Sequence, residues 1–293
     1  MTDDQQHYRK EPRTTRGRDA IDDFREAESG FDTSVPHSAR IWNYWLGGKD
    51  NFPVDQQAGD AYAQTFPGIR DLARASRAFI GRAVTYLAAE QGVWQFLDIG
   101  TGLPTEDNTH QVAQRVNPHA HIVYVDNDPL VLTHARALLT TKIEGSTQYI
   151  DADLHHPDDI LTQARGLLDF DQPIALMLMG IMGHIASYDQ ARSITQRLLD
   201  PLPAGSFLAL YDGTATDPAF LKAQEGYDDT GAVPYKLRTP AAITAFFDGL
   251  ELIDPGIVPI QQWHPDPSPI TPGHVDAYGG IGRKPQAPPP RAR

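Results

Sequence analysis

Acidic residues and glycines directly follow an apolar segment of the chain, in a pattern that suits ligand binding. The segment Val93 to Gly100 continues into Thr101-Gly102, so that two glycines stand directly after a predicted strand. Glycines at this place let the backbone turn sharply and approach a ligand closely. Asp98 precedes them, where a pyrophosphate-binding loop would gain nothing from additional negative charge. The pattern therefore favours a ligand that carries a cation or an ammonium group.

Further acids follow the next two apolar segments. Asp126 and Asn127 end the second segment, and Asp126 stands 24 residues after Gly102 (126 − 102). An acid at this distance typically accepts hydrogen bonds from both hydroxyls of a ribose. The third segment ends at Asp153-Leu154, which offers a carboxylate and a backbone amide to the edge of an adenine. These residues predict a ligand that contains a nucleoside.

The glycine loop lacks one part of the fingerprint of dinucleotide-binding proteins. A G-x-G-x-x-G pattern would need glycine at position 105, and the chain has Thr105. An NAD-dependent oxidoreductase shares the strand, the glycine loop and the ribose acid. It therefore stays as a less favoured alternative.

The elements that must position these residues are short apolar strands that alternate with helical stretches after residue 93. Helical periodicity is found in Pro129–Leu139, Pro157–Leu168, Tyr188–Leu199 and Pro240–Asp248. Alternation of this kind predicts an α/β fold with a doubly wound, mainly parallel sheet. The last two apolar segments, 251–263 and 274–284, have only a proline-rich loop (His264–Pro272) between them. They predict an antiparallel hairpin at the end of the sheet.

The chain outside this strand–helix pattern consists of a tail at each end and a helical region before the first strand. Residues 1–30 and 285–293 are expected to be disordered, because they hold too few large apolar groups to offset the entropy of ordering. Residues 31–92 are predicted to form a helical cap, broken at Gly47-Gly48 and at 66–68, and 93–284 the main domain. Within the cap, Arg70–Ala89 reads as an amphipathic helix.

Composition restricts the partners that the protein can have. A formal net charge of −13 argues against a large nucleic-acid surface, which needs clustered lysine and arginine. Without cysteine, disulfides and thiolate catalysis are excluded, and no metal site is predicted. The apolar runs are too short to span a membrane, and the N-terminus lacks the apolar middle of an export signal. We expect a cytoplasmic protein.

Two distinctive runs identify a resemblance: Leu46-Gly47-Gly48-Lys49-Asp50-Asn51-Phe52, and Asp98-Ile99-Gly100-Thr101-Gly102-Leu103-Pro104-Thr105. From about residue 34 to 284 the chain resembles a family of S-adenosylmethionine-dependent methyltransferases, found mainly in actinomycetes and long described as a domain of unknown function. The resemblance implies a Rossmann-like class I methyltransferase fold with a helical N-terminal cap. It also implies that S-adenosylmethionine binds through residues at the strand ends, namely Asp98, Gly100, Gly102, Asp126 and Asp153.

One position departs from the pattern of that family. Ser76 stands where asparagine is expected, which puts any contact of this side chain with the cofactor in doubt. The neighbouring Arg77 stays a candidate partner for the carboxylate of the methionine part. Two residues of the glycine-rich loop, Lys49 and Asn51, are further candidates for cofactor contact, because that flexible polar turn has few packing duties.

Methyl transfer from a sulfonium is an in-line displacement, which alignment of the reactants and exclusion of water can accelerate without elaborate acid–base groups. If a base is needed, His184 is the first candidate, because it follows the fourth strand and imidazole titrates near neutrality. Tyr211 and Asp212 after the fifth strand, and Tyr235 in the loop that follows, are the next candidates. The acceptor is expected to be a small molecule. A sensor that binds S-adenosylmethionine without turnover remains an alternative, since fold does not determine function.

Overall fold

A computed structural model describes residues 32–105, 107–138, 145–265 and 273–286. The tail predicted at 1–30 and most of the one predicted at 285–293 lie outside these residues, as does much of the proline-rich loop before the last strand. Within the described residues, no helix is long and apolar enough to cross a membrane.

Among the described residues, eight strands form one central sheet. They are β1 (Gln95–Ile99), β2 (His121–Asp126), β3 (Ser146–Asp151), β4 (Ala175–Met179), β5 (Phe207–Gly213), β6 (Glu251–Leu252), β7 (Val258–Pro259) and β8 (Ala277–Arg283). Their order is β3-β2-β1-β4-β5-β8-β6, with β7 also on β8. The first five strands are parallel and β8 is antiparallel to β5. This is the doubly wound, Rossmann-like sheet predicted from the sequence, and its order reverses between β1 and β4.

Helices cover both faces of the sheet. They are α1 (Ser38–Trp45), α2 (Pro53–Thr65), α3 (Ile69–Ala89), α4 (Thr109–Val116), α5 (Pro129–Leu138), α6 (Pro157–Ala164), α7 (Tyr188–Leu199), α8 (Pro218–Asp228) and α9 (Pro240–Thr244). On β1, Phe96 and Leu97 point to opposite faces and are both fully buried. Phe96 belongs to the core under α3 and α4, and Leu97 to the core under α6 and α7.

Helices α4 and α8 were not among the predicted helices, although both carry local start signals. Asn108 forms a capping box with Gln111 at the start of α4. Asp217 caps α8 through the N–H groups of Ala219 and Phe220. The predicted helix at Pro240–Asp248 is shorter than expected and continues as a 3₁₀ turn.

The antiparallel hairpin is present, but its first strand is interrupted. β6 and β7 pair with opposite ends of β8, at Arg283 and at Gly279. Between them the chain turns at Asp254-Pro255, where proline has no N–H to donate to a sheet.

Helices α1, α2 and α3 are the observed elements of the predicted cap region. Apolar residues of α3 pack in the same core as β1, β4 and β5. Helix α2 packs on α8, where Phe66 stacks on Phe220 at 4.5 Å between ring centroids. Helix α1 borders the carboxyl ends of the strands. The division of the chain at residue 92 stays a prediction.

Candidate active site

The carboxyl ends of β1 to β5 and helix α1 enclose a cavity of about 290 Å³, which we call the main cavity. It lies where the strand order reverses, the usual ligand position in sheets of this kind. Of the candidate residues predicted from the sequence, those that line it are Arg77, Asp98, Gly100, Thr101, Gly102, Asp126, Asn127, Asp153, Leu154, His184 and Tyr211. Lys49, Asn51 and Tyr235 are not among its described lining residues.

The turn after β1 depends on glycine at two positions. Gly100 has a φ of 74° and Gly102 a φ of 63°, both in the left-handed region. A Cβ atom on Gly100 would also lie 2.5 Å from the side chain of Ile181, which follows β4. The turn therefore packs closely against the neighbouring strand end and presents its backbone to the cavity.

Asp98 is a buried carboxylate beneath this turn. Thr109 donates a hydrogen bond of 2.7 Å to its Oδ2. Burial raises the pKa of Asp98 to about 6, while the Thr109 hydrogen bond and the charge of Arg77 act in the opposite direction. The carboxylate is thus largely ionised at neutral pH in a poorly hydrated site, which suits a cationic ligand group.

Asp126 lies across the cavity at the end of β2. Its Oδ2 accepts the N–H of Gly102 at 2.9 Å, and its Oδ1 accepts the N–H of Asp128 at 3.0 Å. Burial raises the pKa of the carboxyl, against which these two N–H groups act. A carboxylate has about four acceptor positions, so sites remain for two hydroxyl donors.

Arg77 is a cationic side chain in the wall of the main cavity that could pair with a carboxylate of the ligand. Its Nη2 donates to Thr105 and, at 3.2 Å, to Asn108. Its Nε is buried without a hydrogen-bond partner among the described residues, and so is Oγ1 of Thr101. Two unsatisfied polar atoms in the wall of one cavity fit a polar ligand. Ser76 also lines the cavity, but its Oγ donates to Leu72 of the same helix at 2.8 Å.

The third strand end contributes to the rim of the cavity. Asp153 accepts the N–H of His155 at 2.8 Å. Burial would raise the pKa of Asp153, but its hydrogen bonds with His155 outweigh this effect and the pKa is lowered. Asn127 is exposed beside it, whereas Leu154 is buried.

His184 lies in the turn after β4, and its tautomer can be assigned. Its Nδ1 lies 3.0 Å from the carbonyl oxygen of Pro234. Because a carbonyl only accepts, Nδ1 carries the proton and Nε2 of the neutral ring keeps its lone pair. Burial lowers the pKa of the imidazole, which favours the neutral form at pH 7. This is the protonation state that a general base requires.

The two tyrosine candidates differ in position. Tyr211 at the end of β5 is buried in the cavity wall, and burial raises its pKa to about 12. Tyr235 donates a hydrogen bond of 2.6 Å to Asp212 and accepts the N–H of Gly213. Burial raises the pKa of Tyr235 well above its usual range. Both phenols are therefore neutral. The hydrogen bonds of Tyr235 anchor the segment around it, which packs on the turn that carries His184.

The glycine-rich loop reaches the cavity indirectly. Oδ1 of Asn43 accepts the N–H of Asp50 at 3.0 Å and the side-chain N–H of Asn51 at 2.9 Å. A Cβ on Gly48 would lie 2.4 Å from the Asn43 amide. Asn43, which lines the main cavity, is thus oriented by the loop.

Sequence reasoning missed Asn43 and also His37. Nδ1 of His37 lies 2.9 Å from Oδ2 of Asp128, which links the start of α1 to the turn after β2. Asp128 also caps α5 by accepting the N–H of Leu130 at 2.8 Å. No local spacing relates positions 37 and 128, so only the fold brings them together.

The solved structures that resemble this chain include two proteins from actinobacteria. A protein of the DUF574 family from Streptomyces avermitilis MA-4680 is 44% identical with a TM-score of 0.82, over 87% of this chain and 99% of that one. A candidate methyltransferase from Thermobifida fusca YX is 39% identical with a TM-score of 0.82, over 87% and 97% of the two chains. A search of functionally curated proteins finds no match.

A protein-family model described as S-adenosyl methyltransferase matches residues 25–285. The match includes every described strand and the whole wall of the main cavity. The chain therefore belongs to this family of S-adenosyl methyltransferases, whose description implies S-adenosylmethionine as the cofactor.

Proposed function

We propose that this protein transfers a methyl group from S-adenosylmethionine to a small-molecule acceptor. One observation carries the proposal: a buried carboxylate (Asp98), a partly buried carboxylate (Asp126) and a partly buried arginine (Arg77) line a single cavity at the strand ends, in the arrangement that an amino acid joined to a nucleoside requires. The two orphaned polar atoms in the same wall, Nε of Arg77 and Oγ1 of Thr101, add support.

Different residues of the cavity would bind different parts of the cofactor. Asp98 would hold the ammonium of the methionine part and Arg77 its carboxylate, by charge-assisted hydrogen bonds. Asp126 would accept the ribose hydroxyls, and the rim at Asp153 and Leu154 would receive the adenine. When bound, S-adenosylmethionine supplies an electrophilic methyl group on a positively charged sulfur. Helix α1 covers the site and keeps water out.

His184 is proposed as the base that takes up the proton of the acceptor. Its turn is held at several points by the segment 234–238. The N–H of Lys236 donates to the carbonyl of Gly183 at 2.7 Å, and the Tyr235 ring lies edge-on to the imidazole at 5.1 Å. Nε2 is therefore presented by a well-supported turn at the strand end where an acceptor would lie.

The transferase activity is tested with methyl-labelled S-adenosylmethionine, with the purified protein in extracts and in defined acceptor panels. Label in an extractable product, together with S-adenosylhomocysteine, supports the proposal. Tight binding of S-adenosylmethionine without transfer in any of these mixtures would instead favour the sensor alternative. Binding of NAD in preference to S-adenosylmethionine would favour the oxidoreductase alternative.

Asp126→Ala is expected to weaken binding of S-adenosylhomocysteine roughly 10 to 150-fold. Each hydrogen bond to a charged acceptor contributes about 1.5 to 3 kcal/mol, and the ribose would lose this acceptor. Isothermal titration calorimetry measures the dissociation constant. Asp151→Ala is the control, because Asp151 is paired with Asp126 across the sheet but is exposed and outside the cavity lining. Equal affinity of Asp126→Ala and the parent would contradict the ribose assignment.

Affinity for S-adenosylhomocysteine is also expected to fall as the pH drops through about 6, the pKa to which burial raises Asp98. The ionised carboxylate holds the ammonium, so protonation below this pH removes the attraction. Thr109→Val deletes the hydrogen bond that stabilises the ionised form and should move the fall to higher pH. Dissociation constants measured between pH 5 and 7.5 test this. A flat profile in the parent, or identical profiles in both proteins, would count against the assignment.

A further inference from the structure

A second, smaller cavity of about 40 Å³ adjoins the main cavity. We call it the aromatic subsite. It lies between α1, the ends of β4 and β5, and helix α8. The residues shared by the two cavities are Ser38, Trp42, Gly180, His184 and Tyr211. The subsite is thus adjacent to the main cavity, and the side chain proposed as the base contributes to the walls of both.

Aromatic rings form about half of the wall of the subsite. Trp42 and Trp45 meet edge to face with centroids 5.5 Å apart, and Trp45 lies 5.1 Å from Tyr62. Tyr62 in turn lies edge-on to Tyr227 at 5.9 Å. Edge and face contacts of this kind favour another planar ring over a flexible aliphatic chain.

The wall is also uncharged. None of the described residues that line the subsite is aspartate, glutamate, lysine or arginine. Two of its polar side chains are held by hydrogen bonds: Tyr62 donates to Oε1 of Gln224 at 3.1 Å. Nε2 of Gln224 donates to Asp228 at 2.9 Å. A charged ligand group here would lose its hydration without gaining a counter-ion, which is costly.

The volume of the aromatic subsite limits the size of the ligand. About 40 Å³ has room for roughly three water molecules, hence for the leading part of a single ring. The rest of such a ring would lie at the junction, beside His184 and Tyr211. A hydroxyl on that ring could then reach Nε2 of His184, the acceptor atom left on the neutral imidazole.

We propose that the aromatic subsite binds the methyl acceptor and that this acceptor is a small, uncharged aromatic compound with a hydroxyl group. The inference rests on the proposed transferase function. The hydroxyl oxygen forms the bond to the methyl carbon, and the carbon–sulfur bond breaks with its electron pair left on sulfur. The hydroxyl proton passes to Nε2 of His184, which later releases it to solvent.

The test uses 4-fluorophenol as the probe, with ¹⁹F NMR titration of the protein saturated with S-adenosylhomocysteine. The anionic 4-fluorobenzoate, which carries the same ring, is the matched control ligand. We expect 4-fluorophenol to bind at least tenfold more tightly. Leu72→Phe and Ile69→Phe, which fill the subsite from α3, should each weaken its binding about tenfold or more while S-adenosylhomocysteine still binds. Leu221→Phe, at an exposed position of α8, should change neither.

The outcomes separate this inference from the transferase proposal. Equal binding of the two probes, or unchanged binding of 4-fluorophenol in both filled variants that retain S-adenosylhomocysteine, overturns the subsite assignment. This holds even if methyl transfer to some other acceptor is found. Selective binding of 4-fluorophenol that both filled variants lose supports the subsite, even in a protein that transfers no methyl group to any acceptor.

Discussion

His184→Gln is expected to lower the rate of methyl transfer by about 10² to 10⁴-fold at saturating cofactor, the usual contribution of a general base. Glutamine keeps a polar side chain of similar size, and the turn after β4 is also held by the bond from the N–H of Lys236 to the carbonyl of Gly183, so the turn should keep its shape. Glutamine cannot accept a proton at neutral pH. The loss should therefore fall on kcat, while the affinity for S-adenosylhomocysteine stays close to that of the parent.

The pH dependence gives the same prediction a second test. Burial places the pKa of His184 below its ordinary value of 6.5. The parent should thus stay active to lower pH than an exposed histidine would allow, and kcat should fall only as the pH drops through this lowered pKa. In His184→Gln that fall should be absent. Initial rates with an acceptor that the parent turns over measure both effects, with His119→Gln, at an exposed loop position, as control. Parent-like kcat in the glutamine variant would exclude His184 as the base.

The parts of the site that sequence could predict are those determined by strand register. Asp98 and Asp126 stand at the ends of neighbouring parallel strands, and parallel pairing brings such ends to one edge of the sheet. Once the strands are recognised, the convergence of these two carboxylates on one ligand follows. The turn that carries His184 is predictable for the same reason, since β4 adjoins β1.

Pairing of polar side chains, whether within a loop or between distant segments, could not be predicted in this way. Lys49 and Asn51 were candidates because their loop is polar and rich in glycine, yet the loop is engaged with Asn43, five to eight residues earlier in the chain. Tyr235 was a candidate base, but its hydroxyl is bonded to Asp212, 23 residues away. Hydrophobic periodicity carries no information about which polar groups pair across a fold. Direct contact of Lys49 and Asn51 with the cofactor stays a prediction.

Arg238→Met is expected to lower the free energy of unfolding by about 3 to 5 kcal/mol at pH 7.5, because it leaves a buried carboxylate without its counter-ion. Arg238 lies 3.4 Å from Asp212, and both are almost fully buried. The guanidinium also donates to the carbonyls of Met182 and Ile185, at 2.8 and 2.7 Å, on either side of His184. The variant should therefore lose kcat as well as stability, since the turn that presents the imidazole loses two donors.

The deficit in stability should itself depend on pH. Burial raises the pKa of Asp212 to about 6, against the opposing effects of the Tyr235 hydrogen bond and the Arg238 charge. A carboxyl whose folded-state pKa is raised destabilises the protein increasingly as the pH rises above its unfolded pKa. Loss of Arg238 raises the folded-state pKa further. The difference between variant and parent should thus be largest above pH 7 and shrink towards pH 5, where Asp212 becomes protonated.

Urea unfolding at pH 7.5 and pH 5 measures this difference, with two comparison variants. Arg197→Met removes an arginine that pairs with Asp158 on the surface, where solvent screens the charges, and should change stability little. Arg238→Met combined with Asp212→Asn removes the uncompensated charge and should recover part of the stability without restoring kcat, because the carbonyls that flank His184 still lack their donors. A deficit that is the same at both pH values and in the double variant would show that Arg238 acts through packing alone.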